Sequence, residues 1–201
     1  MIVAGLTGSI AMGKSETARM FAERGIPVFD SDAAVHALYA KGGEAVPAVA
    51  AIAPDAVWDD VVDRRRLAML VQADPALLPR IEAVVHPLVK ERQKRFLAEA
   101  EAQGAELALL DIPLLFETGR EPEVDVVLVV SAGETLQRER AMKRPGMTAE
   151  KLDFILSRQV PDAEKRLRAD RVIDTSISLE HTAQAVEHVI AELREKARRR
   201  E

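Results

Sequence analysis

The chain has 201 residues, a net charge of −5, a pI near 5.5 and no cysteine. That length holds one full core with room for an inserted subregion rather than two independent globules. Without cysteine there are no disulfides, thiolate metal sites or cysteine nucleophiles, in keeping with a reducing cytoplasm, and the acidic balance supplies no global basic field for nucleic acid.

The N-terminus opens directly into an apolar strand, Ile2 to Leu6, with no basic leader, and the longest apolar stretches are strand-length, so neither an export signal nor a membrane span is expected. The strand feeds Gly8-Ser9-Ile10-Ala11-Met12-Gly13-Lys14-Ser15, and a helix is expected from Ser15 to Glu23. The octet satisfies G-x-x-x-x-G-K-[ST] between a strand and a helix, the context in which that pattern binds phosphate. Glycines let the backbone curl until several N–H groups and a helix N-terminus converge on one anion. Lys14 is then the bridge between β- and γ-phosphates and Ser15 the Mg²⁺ ligand, with Gly8 to Ser15 and Glu16 as nucleotide-binding residues. ATP is the expected nucleotide, because the chain contains no asparagine and so cannot carry the Asn-Lys-x-Asp motif that reads guanine.

A second strand, Ile26 to Phe29, ends in Asp30-Ser31-Asp32 ahead of a helix from Asp32 to Tyr39. Carboxylates at this edge of an open α/β sheet lie where ligands bind. Asp32 is either the base that takes a proton from an alcohol acceptor or, with Ser31, merely the cap of the helix. Lys41 to Pro87 holds no convincing strand and five prolines, so short helices are expected there, forming a substrate-side insertion. His86, before Pro87, is either an extended turn residue or a substrate contact. A helix from Leu88 to Gln103 follows.

The third strand, Leu107 to Leu110, delivers Asp111, which either supports Mg²⁺ through water or is held by backbone N–H groups. After the fourth strand, Val126 to Val130, helices are expected over Glu134 to Lys143 and Ala149 to Arg158. Residues 137 to 168 carry Arg138, Arg140, Lys143, Arg144, Arg158, Lys165, Arg166 and Arg168. Interleaved acids make most of these solvated helix faces. Two or three remain for phosphate, Arg140 first as the arginine that stabilises the transferring phosphoryl group and Arg144 second. A fifth strand, Arg171 to Ile173, precedes a helix from Leu179 to Leu193, and the tail Arg194 to Glu201 reads as a solvated helix end with Arg198, Arg199 and Arg200. Strands alternating with helices imply an α/β fold with a parallel sheet.

Taken in order, Gly5 to Ser15, Asp30-Ser31-Asp32, His86-Pro87, Asp111-Ile112-Pro113-Leu114-Leu115-Phe116-Glu117, Gln137 to Arg140, Gln159 and Ala169 to Asp174 resemble the signature of the dephospho-coenzyme A kinases over nearly the whole chain. The resemblance implies a P-loop NTPase-type three-layer sandwich with a five-stranded parallel sheet, forming a single kinase domain. Its core would be about 1–32, 105–136 and 169–201, with a helical acceptor-binding insertion at about 33–104 and a helical lid at about 137–168. It implies transfer of the ATP γ-phosphoryl to the ribose 3′-hydroxyl of dephospho-coenzyme A, the last step of coenzyme A synthesis. The implied enzyme is cytoplasmic, a monomer or weak homo-oligomer with small-molecule substrates, and binds neither nucleic acid nor membrane. Asp32 would be the base, Lys14 and Arg140 its catalytic partners, and Asp30, Asp32, His86, Asp111 and Leu114 the acceptor side. Arg144, Asp174 and Thr175 would join the nucleotide site. Ser9 and Ala11 stand where the family usually has glycine, so a positive φ at Ala11 would be strained, and Thr175-Ser176 replaces the commoner Asn and Gly. The rival readings are another P-loop metabolite or nucleotide kinase, a nucleotide-dependent regulatory binding protein, and a nucleic-acid kinase.

Overall fold

The computed structural model describes residues 1–199, which divide into two units, 1–29 with 100 onwards, and 30–99. The first unit is built on β1 (Ile2–Thr7), β2 (Val28–Asp30, which ends as the second unit begins), β5 (Leu107–Asp111), β6 (Val126–Ser131) and β7 (Arg171–Asp174). They form the expected five-stranded parallel sheet in the order β2-β5-β1-β6-β7. Each strand lies within two residues of its expected limits, because Val, Ile and Leu runs bounded by Pro, Gly or acid pack best when buried on a sheet. Helices α1 (Lys14–Glu23) and α9 (Leu179–Arg198) cover one face, while α8 (Asp162–Arg168) packs against β6. Ile2, Ala4 and Leu6 of β1, with Leu107, Leu109, Leu128 and Ile173, meet Phe21 of α1 and Val186, Ile190 and Leu193 of α9 in one core. Burying Phe21 alone contributes about 3 kcal/mol. Helices α6 (Glu134–Met142) and α7 (Ala149–Ser157) complete this unit. Helix α9 continues beyond the expected Leu193 through Arg198; Arg200 and Glu201 of the expected tail lie outside the described residues.

The second unit contains α2 (Ser31–Tyr39), α3 (Val46–Ile52), β3 (Val57–Trp58), β4 (Val61–Val62), α4 (Arg64–Ala73) and most of α5 (Leu77–Ala102). Two expectations fail here. The stretch expected to lack strands contains an antiparallel hairpin, with Val57 opposite Val62 and Trp58 opposite Val61. Asp59 and Asp60 turn it with φ of 50 and 61. Positive φ at both central residues gives the primed turn that matches strand twist, and Asp tolerates it.

His86 is not an extended turn residue: α5 begins at Leu77, eleven residues before the helix expected from Leu88, and continues through Pro87. An interior proline costs about 3 kcal/mol of helix stability. The apolar stripe Ile81, Val85 and Val89, buried at four-residue spacing, continues across it and offsets that cost.

Candidate active site

The sheet delivers β1 into the glycine-containing loop, whose shape is fixed by neighbours rather than by the loop alone. At Gly8 an added Cβ would sit 2.4 Å from Val130 Cγ2 and 2.9 Å from Val130 O, so β6 admits no side chain there. Gly13 has φ 92, and its missing Cβ would lie 3.3 Å from Thr175. Between them Ser9 to Met12 form a turn in which Met12 N–H donates to Ser9 O at 3.2 Å. Ala11, the third residue of that turn, has φ 63. The strain expected at Ala11 is therefore present, and for an L-residue the left-handed region costs roughly 1–2 kcal/mol.

Lys14 opens α1 and pairs with Asp111 at the end of β5. Their side chains are 17% and 6% exposed, so this charge pair faces the loop's mouth from a largely desolvated position. The Lys14 ammonium is therefore a direct partner of the Asp111 carboxylate at the strand's end. Ser15, in the first turn of α1, is exposed. Ser15 and Asp111 offer hard oxygen donors, and Mg²⁺ is held by one or two such groups together with substrate phosphates. The donor set fits that ion, and among the described residues no cluster of three or more His, Asp or Glu offers a dedicated cage for another.

A cavity of about 400 Å³ is lined by Gly13, Glu16, Arg140, Thr175, Leu179 and Thr182, among others. The Thr175 hydroxyl, buried, donates to Met12 O at 2.8 Å and so ties the β7–α9 connection to the loop. Arg140 Nη2 donates to Thr175 O at 2.8 Å. Asp174, just before, is held below the usual carboxylate range by the Ser176 hydroxyl and then by the Ser176 N–H, which donates to Asp174 Oδ1 at 2.7 Å. Glu16 is also lowered, through its hydrogen-bonded pair with Arg19. The sequence reading missed Leu179 and Thr182 of this cavity. Ser178, which caps α9 by accepting from His181 N–H at 3.0 Å, was the available signal, since a capped helix following a strand end marks the ligand edge of such sheets.

Arg144 lies exposed just past α6, and Leu114 is exposed in the turn after β5. In the second unit, the cap of α2 is Asp30, whose Oδ1 accepts from Ala33 N–H at 2.9 Å. Neither Asp32 nor Ser31 caps that helix; Asp32 is exposed in its first turn, which removes the capping alternative for it. His86 is exposed on α5.

The basic segment sorts largely as its interleaved acids required. Arg138 pairs with Glu134 and Asp153, Lys143 with Glu139, and Arg168 with Glu164 and Glu121. Lys165 departs from that pattern. Its side chain is 0% exposed and its Nζ lies 2.7 Å from Glu117 Oε1, itself 11% exposed. The same Glu117 oxygen accepts from Val160 N–H at 2.9 Å.

A five-stranded parallel sheet, a glycine-cornered phosphate loop at the head of a helix, and a lysine–carboxylate pair at its mouth define a P-loop kinase. The dephospho-CoA kinase family model matches residues 1–181. A dephospho-CoA kinase of Rhizobium etli is 55% identical over 194 residues, covering 96% of this chain and 95% of that one. Another, from Rhodopseudomonas palustris, is 49% identical over the full length of both. A crystallised Thermus thermophilus protein superposes with a TM-score of 0.81 at 38% identity, covering 96% of this chain and 97% of its own. The fold alone is shared with a shikimate kinase of Bacteroides thetaiotaomicron, at a TM-score of 0.51 and 14% identity, covering 94% of this chain and 98% of the other. The chain belongs to the dephospho-CoA kinase family and is a kinase enzyme, and ATP use follows from that membership. Among the described residues no helix is long and apolar enough to cross a membrane.

Proposed function

We propose that this enzyme transfers the γ-phosphoryl group of ATP to the ribose 3′-hydroxyl of dephospho-coenzyme A, releasing ADP and coenzyme A as the last step of coenzyme A synthesis. The observation that carries this reading is the Lys14–Asp111 pair at the mouth of the phosphate loop, in a chain of this family. Lys14 exchanges Asp111 for β- and γ-phosphate oxygens when nucleotide arrives, and Asp111 then serves the metal side. The hydroxyl of Ser15 and the carboxylate of Asp111 would hold Mg²⁺, which would supply charge neutralisation for the phosphoryl group when bound.

Asp32 orients the acceptor hydroxyl and takes its proton while the 3′-oxygen bonds to phosphorus and the bond to the ADP leaving oxygen breaks. Arg140 reaches the phosphoryl group by giving up its Thr175 contacts, with Arg144 in support. The cavity beside Thr175 receives the nucleoside end of ATP. Residues 33–104 bind the acceptor, using Asp30, His86 and, from the β5 turn, Leu114; residues 137–168 act as the lid that excludes water. The reading places the enzyme in the cytoplasm, as a monomer or weak homo-oligomer, with no nucleic-acid partner.

The test is ADP release with Mg-ATP against dephospho-coenzyme A, adenosine, AMP, pantothenate and no acceptor, with products weighed by mass spectrometry. Turnover confined to dephospho-coenzyme A is expected, and preference for another acceptor would overturn the assignment of the acceptor pocket. In the same assay Asp32→Asn should lower turnover with ATP binding intact; near-normal turnover would remove Asp32 as the base.

A further inference from the structure

The tip of the phosphate loop is held from outside by two side-chain amides. Gln159, just past α7, accepts from Ile10 N–H through Oε1 at 3.0 Å. Gln137 of α6, buried, donates from Nε2 to Ile10 O at 3.0 Å. Both polar groups of one loop residue are therefore saturated by the segment between β6 and β7. Beside them Ala11 packs with Ala141 of α6 and Leu152 of α7, flanked by Ile10, Met147 and Leu156.

The Ile10–Ala11 peptide, held by Gln137, is the one that decides the turn type. Ser9 to Met12 close with positive φ only at the third residue, Ala11, which is the type II arrangement ordinarily given to glycine. Rotating the Ile10–Ala11 peptide plane would convert it to type I, which any L-residue at that position prefers. In a trans peptide the Ala11 N–H leaves on the side opposite the Ile10 carbonyl. Pinning that carbonyl therefore fixes the direction of a loop N–H as well. A family member with glycine at this place has no comparable preference to resist.

We propose that Gln137 and Gln159 are positioning residues that hold the phosphate loop of this chain in its nucleotide-receiving turn against the intrinsic preference of Ala11. Gln137 acts on ATP binding through the Ile10–Ala11 peptide and Gln159 through the adjoining Ser9–Ile10 peptide, and neither touches substrate. The inference rests on the reading that this loop binds ATP.

The experiment is a set of full-length variants compared for Mg-ATP affinity by calorimetry, for KM and kcat with dephospho-coenzyme A, and for melting temperature. Gln137→Met should weaken ATP binding about tenfold, the equivalent of one good hydrogen bond, with kcat changed much less. Gln159→Met, at a partly exposed position that tolerates the change, should weaken it about threefold. Measured against Ala11→Gly as its own reference, Gln137→Met combined with Ala11→Gly should lose much less than tenfold, because glycine accepts φ near 63 without the clamp. A merely structural glutamine would lower the melting temperature without being rescued at residue 11. ATP affinity unchanged in both glutamine variants, or a loss that Ala11→Gly does not relieve, overturns the proposal. Absence of ATP binding by the parent protein would instead overturn the kinase reading, and the clamp with it.

Discussion

Two lysine–carboxylate pairs stand on the segment leaving β5, and their surroundings give them opposite uses. Lys14 meets Asp111 at the strand's end, with the lysine side chain 17% exposed at the loop's mouth. Lys165 meets Glu117, six residues further on, with its side chain at 0% exposure and Val160 N–H sharing the same oxygen. A pair that solvent can reach can trade its partner for a phosphate; a sealed pair cannot separate without stranding a charge in low dielectric. The same chemistry thus serves as a replaceable contact in one place and as a permanent tie between the β5 turn and α8 in the other.

Replacing each lysine should separate the two roles. Lys14→Met should lower turnover at least about a hundredfold, as loss of a single transition-state donor does in other enzymes, while steady-state kinetics and a melting curve show the fold retained. Comparable turnover would erase the distinction. Lys165→Met should instead act on stability. It strands Glu117, costs about 3–5 kcal/mol and lowers Tm by roughly 10 °C for a chain of this size. Combining it with Glu117→Gln should restore most of that, because the amide oxygen still accepts from Val160 N–H and no buried charge is left. A double variant as unstable as the single one would mean that the ion pair is not what Lys165 contributes.

A third change sharpens the contrast from the loop's side. Gly8→Ala forces a methyl into Val130, where the nearest atom would be 2.4 Å away, and should cost about 1–3 kcal/mol, read in a denaturant titration, along with weaker nucleotide binding. The smallest effect is expected at the cavity's edge. Asp174 is held below its ordinary value of 3.8 by Ser176, so its contribution is fully present above that value and is lost as pH falls through the depressed one. Ser176→Ala should move the Asp174 carboxyl titration upward, visible by carbon-detected NMR. The accompanying stability loss should be confined to pH above the titration and kept slight by solvent screening. An unmoved titration would assign the depression to another neighbour.

The first unit was readable because its signals are local. Short apolar runs bounded by turn residues gave all five strands and a contiguous octet gave the phosphate loop, while the strain at Ala11 was foreseen only through the resemblance to a family that usually has glycine there. The second unit resisted for identifiable reasons. Its hairpin turns on Asp59-Asp60, a weaker sequence signal than Asn-Gly, and α5 absorbs Pro87 because buried contacts outweigh a local preference. Lys165 was missed at the site for a related cause. A lysine among interleaved acids reads as surface, and only the tertiary placement of Glu117 reveals that this one is enclosed. Gln137 and Gln159 stood out only through family resemblance, since no local pattern announces an amide that will grip a loop from far along the chain.

The most direct measurement follows labelled γ-phosphate from ATP in parallel reactions of the parent enzyme and Lys14→Met with dephospho-coenzyme A, locating the label in the product by mass and phosphorus NMR. Label on the ribose 3′-oxygen with the parent enzyme, and its near absence with the folded variant, is the predicted result. Label at another position, or equal transfer by both proteins, would contradict the claim that the Lys14–Asp111 pair opens to catalyse this step.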